Sequence, residues 1–308
     1  MDEDAIVATR LTRYFGNKAA VEDVDLRVPY GSVFAFLGRN GSGKTTTIRL
    51  LLGLLRPTRG HATVLGRDCE RLTPDVRSRI GYLAEGHFVY GWMRVRECAK
   101  FQSSCFPRWN RKLFDGVVDY FGIDREARAR NLSRGERAGL CLALALAPEP
   151  ELLVLDDPAL GLDPVARRSL VEALLAVTRR GDRTVFLSSH LLDDVERVAD
   201  FIAILDNGVL RVHSSVEEFQ ANIGCWALRF AAPPLRLPEI PGLVHSRVVE
   251  NEVSVTIANP GEAIERALAE LGAESVRRVP LSLEAAVIEY LHRRREAVSL
   301  ARAVGGDA

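Results

Sequence analysis

The chain has 308 residues, 47% of them hydrophobic and 27% charged, which is ordinary globular usage and enough for one large domain or two average ones. Its 41 basic and 41 acidic side chains cancel, which argues against a dominant electrostatic drive toward nucleic acid or acidic lipid. The five cysteines lack C-x-x-C spacing and fit a reduced setting, and the longest apolar run, 140–147, falls far short of the ~20 residues a membrane-spanning helix needs.

The acidic start has no apolar stretch of signal-peptide type. Segments 6–11 and 21–28 alternate apolar and polar positions and predict antiparallel strands beside a main sheet. Segments 33–37, 152–155, 184–187 and 201–205 are short, apolar on both faces and separated by helical patterns. They predict parallel strands of an open α/β sheet covered on both sides.

After the first of these comes Gly38-Arg39-Asn40-Gly41-Ser42-Gly43-Lys44-Thr45, which fits G-x-x-x-x-G-K-[ST] and opens a helical pattern over 46–55. The glycines let backbone N–H groups curl around a phosphate chain, and the helix aims its positive end at the same charge. Lys44 is placed to reach the β- and γ-phosphates of a nucleotide, and Thr45 to put its hydroxyl on Mg²⁺. The chain has only four lysines, Lys18, Lys44, Lys100 and Lys112, so one inside a motif stands out.

Residues from about 86 to 131 are helix-like and aromatic-rich and read as a helical insert. Leu132-Ser133-Arg134-Gly135-Glu136 then precedes a strong helical run over 137–146, and Ser133 with Glu136 forms an S-x-x-E capping box. A capped helix start carrying a serine hydroxyl and a nearby glycine is also an anion site.

The strand over 152–155 ends in Asp156 and Asp157. A carboxylate just past a buried strand, downstream of a phosphate loop, is the place for a second Mg²⁺ contact, and Asp156 fits it. Asp157 is expected to face the γ-phosphate and the attacking water, which a base must approach within about 2.6–3.2 Å. Aspartate is one C–C bond shorter than glutamate, and a misplacement of about 1 Å can cost ~10²-fold in rate. An aspartate before Pro158 is also a good turn starter. His190 ends Ser188-Ser189-His190, at the carboxyl end of a sheet strand where ligands of open α/β folds bind, and is expected to touch the γ-phosphate.

From about 213 the pattern changes: a strand over 226–230, a break at Ala231-Ala232-Pro233-Pro234, a hairpin of 244–249 and 253–257, a helix over 261–271, an extended 275–279 and a helix over 283–295. The expected organisation is therefore a domain over 1–212 and an α+β appendage over 213–308.

The order of these motifs resembles the ATP-binding subunit of ABC transporters, over about residues 5 to 212. The resemblance implies a P-loop NTPase fold, with a RecA-like core, an antiparallel β subdomain and a helical insert. Phe15, or Tyr14 if the alignment slips by one, matches the aromatic that stacks on adenine. Gly38 to Thr45, with Thr46 following, match the Walker A loop. Ser133, Arg134, Gly135 and Glu136 match the signature motif. Asp156 matches the Walker B metal ligand, Asp157 the catalytic carboxylate, Asp163 the D-loop aspartate and His190 the switch histidine. Glu85 lies in the loop that couples the nucleotide site to the membrane partner, positioned to reach Mg²⁺ or water. Glu85 stands where many relatives have glutamine, Arg134 replaces a glycine, Glu136 a glutamine and Asp157 a glutamate.

What the resemblance implies of cofactors and partners is ATP with Mg²⁺, a second ABC ATPase subunit bound head to tail, and a separate transmembrane permease docked near residues 85–97, on the cytoplasmic face of the membrane. No nucleic acid is expected. The single head, the short tail, Trp92-Met93 and Phe106-Pro107-Arg108-Trp109-Asn110 look most like the ABC-2-type exporters of bacteria. One alternative makes this chain the slow, regulatory half of a heterodimer, because of Asp157. Another makes it a non-transport ABC ATPase, although the coiled coils and tandem heads usual there are not visible. The C-terminal appendage is expected to stabilise a dimer.

Overall fold

The computed structural model describes residues 3–178, 183–189, 196, 198–231, 240–261 and 263–292. The chain divides into two compact units, Met1–Ser214 and Ser215–Ala308. That division lies two residues beyond the boundary expected from sequence.

The first unit opens with a long hairpin, β1 (Asp4–Phe15) and β2 (Lys18–Pro29), paired antiparallel. Along β2, Val24, Leu26 and Val28 are buried while Asp25 and Arg27 face out, the period-two alternation that marks one covered face. The hairpin joins β4 (Arg59–Val64) and β5 (Arg67–Asp68) in a sheet of order β2-β1-β4-β5. β1 and β2 contain the antiparallel strands expected over 6–11 and 21–28, whereas β4 and β5, whose exposed starts carry little apolar signal, were not expected.

A second sheet has order β10-β9-β3-β8-β7-β6. Its strands are β3 (Val33–Leu37), β6 (Ile80–Leu83), β7 (Leu152–Asp156), β8 (Thr184–Ser189), β9 (Phe201–Asp206) and β10 (Val209–Ser215). β3 pairs parallel with both β8 and β9, β8 with β7, and β7 with β6. Every residue of β3, β7 and β8 is buried, which is why these segments read as continuous apolar runs. Phe34 stacks on Phe186 at 5.7 Å and on Phe201 at 6.4 Å. Burying each ring contributes ~2–3 kcal/mol. β10 follows β9 after Asn207-Gly208, both at positive φ, the pairing a two-residue hairpin turn requires.

α1 (Lys44–Leu51) follows the phosphate loop and is shorter than the expected 46–55 at its end, where Gly53 turns left-handed at φ 64° and its N–H donates to Leu50 C=O. α2 (Pro74–Ser78) leads into β6. The expected helical insert is helical in part. Residues 86–94 form a loop, followed by α3 (Val95–Cys105) and α4 (Arg111–Tyr120). These pack with α5 (Arg134–Leu146) around Val95, Phe114, Val118 and Leu140. α6 (Pro164–Thr178) follows β7.

The second unit is a four-stranded sheet of order β12-β13-β11-β14, formed by β11 (Ile223–Arg229), β12 (Leu243–Val249), β13 (Glu252–Ala258) and β14 (Ser275–Val279). α7 (Val216–Ala221), α8 (Ile264–Ala269) and α9 (Leu283–His292) complete it. Trp226, Val255 and Leu268 centre its core, and the Trp226 indole N–H donates to Glu265 Oε1 at 3.3 Å.

Candidate nucleotide site

Parallel order puts the carboxyl ends of β3, β6, β7 and β8 on one edge of the sheet, and the loops leaving those ends build the site. The phosphate loop leaves β3. Gly43 sits at φ 112°, and a Cβ there would lie 2.3 Å from the Ala20 carbonyl oxygen, so no side chain fits. Lys44 is 5% exposed, and its ammonium donates to the carbonyls of Gly38 at 2.8 Å and Arg39 at 3.3 Å. It also pairs with Asp157 Oδ2 at 3.7 Å.

Three oxygen-bearing side chains meet beside it. The Thr45 hydroxyl donates to Asp156 Oδ1 at 3.1 Å and stands 3.4 Å from Glu85 Oε2. Ser188, on the neighbouring strand β8, donates to the same Asp156 oxygen at 2.9 Å and accepts the Asp157 backbone N–H at 2.9 Å. The other oxygen, Asp156 Oδ2, is buried with no hydrogen-bond partner among the described residues. Burial pushes the Asp156 carboxyl up; the bonds from Ser188 and Thr45 oppose that, and the nearby acids Glu85 and Asp157 add to it. A buried carboxylate with one orphaned oxygen, a hydroxyl and a second carboxylate form a donor set suited to a hard cation. Among the described residues no group of three or more His, Cys, Asp or Glu side chains is arranged to hold a metal, so a magnesium ion here would rely on phosphate oxygens and water as well.

A cleft of about 500 Å³ runs from Phe15 past Asn40, Gly41, Gly43, Lys44, Thr45 and Thr46 to Glu85 and Asp157. Phe15, at the end of β1, is 51% exposed, with the Arg13 guanidinium 4.9 Å from its ring centre. Lys18, Ala19, Ala20, Asn207 and Gly208 also line the cleft and were not singled out in the sequence. Gly208 N–H donates to Ser42 C=O and Gly208 C=O accepts Glu22 N–H, both at 2.8 Å, so the β9–β10 turn fastens the phosphate loop to β2. The signal for that turn was present as an Asn-Gly pair between apolar runs.

The remaining candidates lie elsewhere. Ser133 and Glu136 form both bonds of the capping box at the start of α5. Arg134 donates to Gly161 C=O at 3.2 Å, and Gly135 packs so closely on Ala166 that a Cβ would lie 2.7 Å from that methyl. The Asp163 carboxylate caps α6, accepting from the N–H groups of Val165 at 2.9 Å and Ala166 at 3.0 Å. None of these five lines the cleft. His190 lies outside the described residues.

Next to the cleft, the loop after β6 exposes Phe88, Tyr90 and Trp92, and α3 exposes Phe101. Tyr90 sits 6.2 Å from Trp92 and 6.0 Å, edge-on, from Phe101. Phe88, Tyr90, Met93 and Phe101 line a groove of about 370 Å³.

A family profile described as ABC transporter matches residues 21–160. The bacitracin transport ATP-binding protein BcrA of Bacillus licheniformis is 33% identical over 207 residues, covering 67% of this chain and 68% of that protein. This chain belongs to the ABC transporter ATP-binding family. The daunorubicin/doxorubicin resistance ATP-binding protein DrrA of Streptomyces peucetius is 32% identical over 282 residues, covering 87% of this chain and 84% of that protein. A solved ATP-binding subunit of an ABC transporter superposes with a TM-score of 0.64 at 25% identity, covering 70% of this chain and 92% of that one. As an ABC ATPase the chain belongs to an ATP-binding and ATP-hydrolysing family, and the P-loop α/β fold with its antiparallel β subdomain is that family's fold. Among the described residues no helix is long and apolar enough to cross a membrane.

Proposed function

We propose that this ABC ATPase hydrolyses ATP to power a separate membrane permease of exporter type, working as a pair of ATPase subunits on the cytoplasmic face of the membrane. The observation that carries the reading is the convergence of Lys44, Thr45, Asp156 and Asp157 at the carboxyl edge of one sheet. The relatives named for bacitracin transport and for daunorubicin/doxorubicin resistance support the exporter assignment. Phe15 offers an exposed ring for the adenine base. Lys44 holds the β- and γ-phosphates, aided by the N–H groups of the loop and the start of α1.

Asp157 acts as the base that orients and deprotonates the attacking water; its 3.7 Å approach to Lys44, the residue assigned to the β- and γ-phosphates, supports that reading. Thr45 and Asp156, with Glu85 in reach, would hold Mg²⁺, which would supply positive charge against the phosphates. The capped start of α5 and Asp163 lie outside this cleft and serve the partner subunit's nucleotide, so each ATP is enclosed by two chains. The exposed aromatic groove of Phe88, Tyr90 and Phe101 receives the permease, and the second unit, 215–308, steadies the ATPase pair.

Steady-state ATP turnover of the purified chain tests this, beside Asp157→Asn and Asp157→Glu. Wild type is expected to turn over, and the Asn variant to lose about 10²-fold or more in kcat with KM little changed. An inert wild type revived by Glu would overturn hydrolysis by this chain. Co-purification with a membrane subunit tests the permease; its absence from membrane extracts would count against transport.

A further inference from the structure

We infer that His87 is a positioning residue for ATP hydrolysis, tying the Glu85 loop to the backbone beside the Asp157 carboxylate. The inference rests on the assignment of Asp157 as the base. His87 is only 5% exposed, although Glu85, Gly86 and Phe88 around it are exposed. A polar ring buried on an exposed loop needs a partner. It has one: Nε2 lies 2.7 Å from the Pro158 carbonyl oxygen. A carbonyl only accepts, so Nε2 carries the hydrogen.

The loop is wound to make this bond. Gly86 and His87 stand consecutively at φ 88° and 53°, and the His87 N–H donates to Ala84 C=O at 3.3 Å. A left-handed non-glycine residue is held only where its surroundings impose it.

On the other side, Asp157 is itself left-handed at φ 45°. Ser188 Oγ accepts its N–H at 2.9 Å and Leu160 N–H donates to its C=O at 3.0 Å. The His87 bond is a third anchor, one peptide further on. An aspartate has less reach than a glutamate, so the turn beneath it must be held still; a shift of about 1 Å can cost ~10²-fold. Phe88, adjacent to His87 and 84% exposed, lines the aromatic groove, so one loop connects that groove to Asp157.

The test uses the full chain with His87→Phe, which keeps a ring but cannot donate, and His87→Gln, whose amide can. Phe is expected to lower kcat about 10-fold or more with KM for ATP within about 3-fold, and Gln to regain most of the loss. Hydrogen exchange over residues 157–162, followed by mass spectrometry, is expected to speed up in the Phe variant and return toward wild type in Gln. Failure of Gln to rescue, a loss confined to KM, or unchanged exchange would overturn the inference. The Asp157→Asn variant separates the two failures: if it turns over like wild type, the base assignment fails, and exchange alone then decides whether His87 anchors the turn.

Discussion

The Lys44 ammonium and the Asp157 carboxylate stand 3.7 Å apart with both side chains nearly closed to solvent. Removing one member of a buried pair leaves an uncompensated charge, which makes Asp157 a stability residue as well as a chemical one. The Lys44 bonds to the Gly38 and Arg39 carbonyls soften the effect. Asp157→Asn is expected to cost about 1–3 kcal/mol. Added ATP brings phosphate charge to the same ammonium, so the variant's melting temperature is expected to recover more on adding ATP than wild type gains. Thermal melts with and without ATP check this; equal gains would show that Lys44 and Asp157 are not coupled.

Asp156 gives a prediction for magnesium. Its Oδ2 is buried with no partner among the described residues, and burial raises the cost of its charge. A divalent cation relieves both. Nucleotide is therefore expected to stabilise the wild type more with Mg²⁺ than with a chelator present, and Asp156→Asn to abolish that difference while keeping metal-free nucleotide binding. A variant that retained the magnesium-dependent gain would place the cation elsewhere.

Phe15 presents about half its surface, and Arg13 packs over the ring. Stacking of this kind contributes about 0.5–1.5 kcal/mol, so Phe15→Ala is expected to raise Kd for ATP about 2- to 10-fold, and Phe15→Trp to keep it near wild type. Fluorescence titration with a labelled nucleotide distinguishes this from a Tyr14 site, where Tyr14→Ala would carry the larger loss.

A pH dependence follows from Arg79 and Glu151, which flank the starts of β6 and β7. Their bidentate bonds, 2.8 and 2.6 Å, hold the Glu151 carboxyl below the usual range, with burial acting the other way. A depressed folded pKa means the stabilisation is present above the unfolded value of about 4.3 and is lost as pH falls through the folded one. With both groups partly exposed, Glu151→Gln is expected to cost about 0.5 kcal/mol at pH 7. That deficit fades in acid. Urea unfolding at neutral and acidic pH reads it; a deficit that grows in acid would contradict the assignment.

The phosphate loop and the two acids were legible in the sequence as contiguous stretches at strand ends, and they meet at the carboxyl edge of one sheet. The same holds for β3 and β14, whose observed limits match the expected segments. What escaped was tertiary. His87 is bonded to a backbone carbonyl 71 residues away, and no side-chain pattern announces such a partner. Asn207 and Gly208 reach the cleft only because β9 lies beside β3. The insert was read as helical from 86 because aromatic residues are dense there, yet 86–94 is a loop whose aromatics face outward.

The strand order has a consequence for how the protein is made. β3 carries the phosphate loop, but both of its sheet neighbours, β8 and β9, come from much later in the chain. The Gly31 N–H reaches its acceptor, the Thr184 hydroxyl, across 153 residues. On a ribosome adding ~5–20 residues per second, the finished loop precedes its supporting strands by roughly 7–30 seconds. During that interval the apolar strand Val33–Leu37 has neither partner at its edges. The nascent chain is thus exposed to misassociation at the strand that the mature fold buries completely, and loss of β9 by truncation would leave the nucleotide loop intact in sequence but with one edge of β3 unpaired.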